Sequence, residues 1–196
     1  MKINIFHLLT FKKVTLVIAL LFFMLMPRVY KLKWGSVEVT QWVRGQGPVH
    51  RQIKLNDPTW TPLHKVSHYF IYSIVVAEDS HFFTHRGIDP GEIWDSFLLN
   101  LQNFEFLRGG STITQQLVRM TLLDTKKSLL RKTREALGAI ALELILTKEQ
   151  ILSWYINLIN LGDGRYGVEQ ASQYFFKTSP ELLNLNQSIQ LAMLLP

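Results

Sequence analysis

An uncharged apolar run from Val14 to Met26 (VTLVIALLFFMLM) is bracketed by Lys12 and Lys13 on one side and Arg28 on the other. As a helix rising about 1.5 Å per residue, the run covers about 20 Å of a hydrocarbon core about 30 Å thick. The bracketing side chains can snorkel, and Tyr30 and Trp34 suit an interface. A signal-peptide apolar region has a similar length, yet no small-x-small cleavage site follows, only Pro27-Arg28-Val29-Tyr30. The expectation is an uncleaved N-terminal membrane anchor with basic flanks over residues 1–34, rather than a buried core helix. Basic residues on both sides leave its orientation unset by the positive-inside rule.

Charge supports that division. The formal net charge of +6 over 196 residues comes from the first fifty, where seven Lys and Arg face Glu38 alone; the rest carries fourteen residues of each sign. A nucleic-acid binder places its excess on the folded domain, whereas here it flanks the apolar run. The pattern therefore points to a membrane surface and away from nucleic acid. A 47% hydrophobic content excludes disorder, and the lack of cysteine excludes disulfide scaffolds, thiol catalysis and thiolate metal sites.

Residues 35–66 read as a connector punctuated by Gly45, Gly47, Pro48, Pro58 and Pro62. A helical domain follows over 67–196. Tyr69, Phe70, Ile74 and Ala77 give a first helix ending at Glu78-Asp79, and Asp89-Pro90-Gly91-Glu92 reads as the start of a second. Thr112 with Gln115 forms a capping box, Ser128 opens a longer helix, and Thr147 restarts another through Leu158. In the long helix Leu130, Leu137, Ile140, Leu144 and Ile145 form the expected apolar stripe. Gly162, Gly164 and Gly167 mark a loop, and Ser179-Pro180 starts a last helix. No alternating series suggests strands, so the fold is expected to be mainly α.

Three groups of residues could carry chemistry. Glu78 and Asp79 follow the apolar IVVA, and a carboxylate at the edge of an apolar wall loses hydration, which favours proton transfer; an acidic pair in a turn is the plainer reading. His81 and His85 have the i, i+4 spacing of metal ligands but lack the glutamate of H-E-x-x-H. Residues 110–116, Gly-Ser-Thr-Ile-Thr-Gln-Gln, place hydroxyls and amides at a helix start, suited to a phosphate or a sugar. Seven basic residues between Arg108 and Arg134 (Arg108, Arg119, Lys126, Lys127, Arg131, Lys132, Arg134) face Asp124 alone, which suggests an anionic ligand or a solvated face. Arg131 and Glu135, at i, i+4, would in the plainer case be a surface ion pair.

These segments resemble the peptidoglycan glycosyltransferases, the transglycosylase domain of class A penicillin-binding proteins and its monofunctional relatives. Ala77 to Asp89 is similar to the first signature, and residues 110–116 match the second throughout. Arg131-Lys-Thr-Arg-Glu135 resembles the third, Lys148 to Asn157 the fourth, and Gly162 to Glu169 with Tyr174-Phe-Phe the fifth. The resemblance implies a lysozyme-like helical domain on the outer, periplasmic face of the bacterial cytoplasmic membrane, held by a single-pass anchor. It implies polymerisation of lipid II into glycan strands by inverting transfer, with release of undecaprenyl pyrophosphate. Partners would be lipid II, the growing strand, the membrane and other cell-wall synthesis proteins.

By the same resemblance Glu78 falls on the catalytic base and Glu135 on an auxiliary glutamate. Asp79, Phe82, His85, Ser111, Thr112, Thr114, Gln115, Gln116, Arg119, Arg131, Lys132, Arg134, Tyr155 and Asn157 fall among substrate-binding positions, with the cations at the pyrophosphate. No cofactor is implied beyond a divalent metal, Mg or Mn, assisting there.

Departures from the pattern are Ser153, where the family often has glutamate, and Phe176-Lys177-Thr178 against the usual Tyr-Phe-Gly-Lys, which unsettles a role for Lys177. The chain stops at Leu194-Leu-Pro196, where family members usually continue, so a C-terminally truncated domain is one expectation. Within these 196 residues no transpeptidase domain is expected. A lysozyme-like hydrolase or lytic transglycosylase also works with one dominant glutamate, and a non-catalytic membrane-anchored scaffold is a third reading. The basic stretch separates these, since cleaving neutral glycan needs no pyrophosphate site.

Overall fold

The structure, a computed structural model, describes residues 28–43, 45–55, 57–105, 107, 109–123 and 128–195. The apolar run Val14–Met26 lies outside the described residues. Among those described, no helix is long and apolar enough to cross a membrane. The end of the expected anchor segment is a short helix, α1 (Tyr30–Lys33), which buries Leu32 while Val29 just before it is also buried.

The stretch expected to be a connector contains an antiparallel hairpin instead, β1 (Ser36–Val43) with β2 (Gly47–Lys54), in register from Ser36 opposite Lys54 to Val43 opposite Gly47. Its inner face alternates as Val37, Val39 and Gln41, with Glu38, Thr40 and Trp42 outward. The turn glycines Gly45 and Gly47 both have positive φ, which reads in sequence as linker punctuation but here closes the hairpin. The expectation of an absence of strands was therefore wrong over 36–54. The rest is mainly helical, as expected.

Among the described residues seven α-helices follow: α2 (His68–Glu78), α3 (Pro90–Asn103), α4 (Ile113–Leu122), α5 (Leu129–Ile145), α6 (Lys148–Leu158), α7 (Val168–Phe176) and α8 (Leu185–Ala192). Their starts follow local chemistry. Asp89, Ser128 and Asn184 accept the N3 amide of α3, α5 and α8, and Thr112 and Thr147 make full capping boxes. The helix expected at Ser179-Pro180 is a single 3-10 turn (Pro180–Leu182), and α8 begins later at its own Asn184 cap.

The core lies around α2, α4 and α6. Phe70, Ile74, Leu117, Ile151, Leu152, Trp154 and Ile156 are buried there, with α8 against α2 and both α5 and α6 against α4. Two expected stripes are corrected. On α2 the buried residues are Phe70, Ser73, Ile74 and Val75, leaving Tyr69 and Ala77 exposed. On α5 the inward face is Glu135, Gly138, Ala139 and Leu142, while Leu130, Ile140 and Leu144 face out. A stripe that contains a glutamate was invisible to a search for apolar period.

Candidate active site

Glu78 is the last residue of α2, and the chain leaves the helix at Asp79 in a non-helical conformation. Asp79 is buried. Both its oxygens lie near His85 Nε2, at 3.0 and 2.9 Å, and its Oδ2 accepts the Ile113 amide at 2.9 Å. Gly87 N–H donates to His85 Nδ1, so the ring proton sits on Nε2, facing Asp79. Thr112 Oγ1 donates to the Gly87 carbonyl at 2.6 Å. Gly87, at φ +89, sits where a Cβ would come within 2.7 Å of the Ala139 backbone. The loop after Glu78 is thus tied to the start of α4 and pressed on α5.

Glu78 Oε2 accepts Gln116 Nε2 at 2.6 Å, and Gln116 Oε1 accepts the Tyr155 hydroxyl at 3.1 Å. Gln116, Tyr155, Arg119 and Arg131 line one side of a cavity of about 550 Å³. β1 (Glu38 to Gln41) and Tyr166 line the other, and Leu122, Leu123 and Leu158 contribute an apolar part. Tyr166 is held to the hairpin because its hydroxyl accepts the Trp42 amide at 2.7 Å. Sequence reasoning missed the hairpin's share of this wall along with the hairpin itself.

The cations gather around Glu135. Its side chain is 1% exposed, and its two oxygens accept from Arg131 and, at 3.2 Å, from Lys132. Lys132 Nζ also donates to Ser111 Oγ at 2.6 Å, tying α5 to the residues before α4. Burial, then the charges of Arg119 and Arg131, lower the Lys132 pKa from its ordinary 10.5. That depression reflects first the burial of the ammonium and then its crowding by the two arginines. Arg131 and Glu135 are therefore not the exposed surface pair of the plainer reading. Arg134 stands partly exposed on the same helix, while Arg108, Lys126 and Lys127 lie outside the described residues.

Several side chains placed by resemblance among substrate contacts are engaged within the protein instead. Phe82 is fully buried beneath Lys148, whose Nζ is 4.5 Å from the ring centre. Thr112 and Gln115 cap α4 for each other, and Thr114 donates to Glu143 Oε1 at 2.7 Å. Asn157 brackets Thr61, accepting its amide at 2.8 Å and donating to its carbonyl at 2.9 Å. With Asp79 and His85, these residues hold the frame. Gln116, Arg119, Arg131 and Tyr155 line the cavity, with Glu78 bonded behind Gln116 and Glu135, Lys132 and Ser111 linked in turn to Arg131. Glu143, which also accepts Lys148 Nζ at 2.8 Å, was missed; its position eight residues after Glu135 on the same helical face was the available signal.

His81 and His85 do not converge as a metal pair: His81 Nδ1 is 2.8 Å from Asp89 Oδ2, whereas His85 turns to Asp79. His81, Asp89 and Glu92 bring ligand-type atoms within 4.8 Å of one another, with Asp89 acting as the cap of α3. Among the clustered cations the donor set does not fit a divalent ion, because the carboxylate there, Glu135, already holds Arg131 and Lys132.

Residues 46–196 match the family model described as Transglycosylase. The chain is 38% identical over 138 residues to the "Biosynthetic peptidoglycan transglycosylase" of Paraburkholderia xenovorans (strain LB400), covering 70% of this chain and 58% of that relative. To the protein of the same description from Chromobacterium violaceum it is 37% identical over 137 residues, covering 70% and 60%. To "Penicillin-binding protein 1A" of Aquifex aeolicus (strain VF5) it is 34% identical over 161 residues, covering 82% of this chain and 22% of that one. The chain thus spans about three fifths of the length of the first two relatives. With the family match running over most of its residues, the chain belongs to the transglycosylase family.

Proposed function

We propose that this protein is a monofunctional peptidoglycan glycosyltransferase that polymerises lipid II. The observation that carries this reading is the clustering of Arg119, Arg131 and Lys132 beside the cavity that Gln116, the partner of Glu78, also lines. Glu78 takes the proton from the 4-hydroxyl of the acceptor sugar as that oxygen attacks the donor's anomeric carbon. The new C–O bond forms on the face opposite the breaking one, which gives inversion, and undecaprenyl pyrophosphate leaves. Its growing negative charge meets cations already in place, so little reorganisation is needed at the moment of reaction. Lys132 is an apt member, since an anion offsets both the burial of its charge and its repulsion from the two arginines.

A membrane partner is supported by α3. Ser96 is its one buried residue, and Trp94, Phe97 and Leu101 with Phe104 just beyond form one exposed apolar stripe at helical spacing. Such a stripe suits the acyl boundary of a bilayer and would work together with an anchor at Val14–Met26, on the outer face of the cytoplasmic membrane. The test is steady-state turnover of purified lipid II by R119A, R131A and K132A. Each variant should lose about one to two decades, the equivalent of a charge-assisted contact. Unchanged turnover in all three would instead favour a hydrolase.

A further inference from the structure

We propose that Tyr155 is a positioning residue for the transfer: by donating to Gln116 it holds that amide with its nitrogen toward Glu78, and so decides which oxygen of Glu78 is left to take the acceptor's proton. The proposal rests on the reading of Glu78 as the base. The two ends of a glutamine amide are nearly the same size, so packing alone does not choose between them. Here Nε2 lies 2.6 Å from Glu78 Oε2 and Oε1 lies 3.1 Å from the Tyr155 hydroxyl. A flipped amide would set a carbonyl oxygen against the carboxylate at the same distance.

Tyr155 resists that flip. Its ring is fully buried on the core side of α6, and among the described residues Gln116 is the one hydrogen-bond partner of its hydroxyl. A buried tyrosine hydroxyl needs an acceptor. Burial first, and then the charge of Glu78, push the Tyr155 pKa well above its ordinary value. The hydroxyl therefore keeps its proton and donates it. Once Gln116 Oε1 is occupied, only its NH₂ can face Glu78, and it binds Oε2. The other oxygen, Oε1, remains for the incoming hydroxyl. Tyr155 touches no reacting atom in this scheme; it acts through Gln116.

The test is a double-mutant cycle in the full chain, read as kcat and KM on lipid II. Tyr155→Phe deletes one oxygen and is expected to lower kcat about tenfold with KM within about twofold, as the loss of one hydrogen bond that orients a base. Gln116→Met is expected to lower kcat at least as far. In the Gln116→Met background, Tyr155→Phe should then cost nothing further. 4-Aminophenylalanine at position 155 restores an N–H donor and should recover most of the lost kcat. Additive losses, an effect confined to KM, or wild-type kcat in Tyr155→Phe would overturn the proposal. Were Tyr155→Phe to unfold, the 4-aminophenylalanine protein would still decide it, since it keeps a para donor to Gln116: kcat near wild type is expected, and a loss as large as that of Gln116→Met would overturn the proposal. Glu78→Gln, assayed alongside, separates the failures: if it stays active the base assignment falls, and if it is inactive while the cycle is additive only the role of Tyr155 falls.

Discussion

Asp79 Oδ2 accepts the backbone amide of Ile113 at 2.9 Å, across thirty-four residues of chain. That bond joins the end of the helix carrying Glu78 to the start of the helix carrying Gln116 and Arg119. The carboxylate also takes His85 Nε2 and is almost entirely buried. Asp79 therefore sets the distance between base and cation cluster without facing the cavity.

Asp79→Ala leaves the Ile113 amide and the His85 ring without their acceptor in a dry place. Losing charge-assisted bonds of this kind costs about 1.5–3 kcal/mol each, so a loss of at least about 2 kcal/mol in unfolding free energy is expected. Denaturant titration measures it. Asp79→Asn should fall between, since its amide oxygen can serve one of the two donors.

Glu135→Gln should destabilise by about 2 kcal/mol, well above the few tenths of an exposed i, i+4 pair, because it strips the counter-charge from Arg131 and Lys132 around a side chain that is 1% exposed. Lys132 is itself about half exposed, which keeps the cost below that of a wholly buried pair. The loss should shrink in high salt, and melting in low and high salt checks both points.

The i, i+4 spacing of Arg131 and Glu135 was legible in the sequence; the burial that makes it consequential was not. Four caps were legible, since Asp89, Thr112, Ser128 and Thr147 act through neighbours three residues away, whereas the Asn184 cap was passed over for Ser179-Pro180. The bond partners Glu78–Gln116–Tyr155 were all named, but their order was not, because it depends on α2, α4 and α6 meeting in space. The hairpin was missed for a different reason. Its inner face ends in Gln41 and its outer face carries Trp42, 64% exposed, which blurs the alternation. Buried Gln41 belongs to the cavity wall, so the site itself disturbed the pattern.

Lys132 gives a pH signature. Its folded pKa lies below 10.5, so between the two values the unfolded chain binds more protons and stability rises with pH; below that window the cost of a half-buried ammonium beside two arginines is fully present. A bound pyrophosphate raises this pKa, so binding takes up a proton on the alkaline side. Affinity for pyrophosphate should weaken as pH rises through the depressed value, while both arginines stay charged. Lys132→Arg should flatten that dependence. Calorimetric titration of both proteins across alkaline pH checks it, the variant correcting for the ligand's own ionisation.

The exposed stripe of α3 predicts residual membrane binding by the body. After removal of residues 1–27 the protein should still sediment with anionic vesicles. Trp94→Ser with Phe97→Ser, which together remove a stacked pair 5.7 Å apart, should weaken that binding about tenfold or more without a change in melting. Equal sedimentation of both proteins would exclude α3 as a membrane face.

The central claim is that Glu78 is the base of the transfer, and turnover of lipid II by Glu78→Gln tests it most directly. The substitution keeps the side chain's shape and an oxygen to accept Gln116 Nε2, so the melting temperature should hold within a few degrees. Glycan-strand synthesis should fall about 10²- to 10⁴-fold, the usual contribution of a general base. Polymerisation retained above about a tenth of wild type, in a protein that melts normally, would contradict the account.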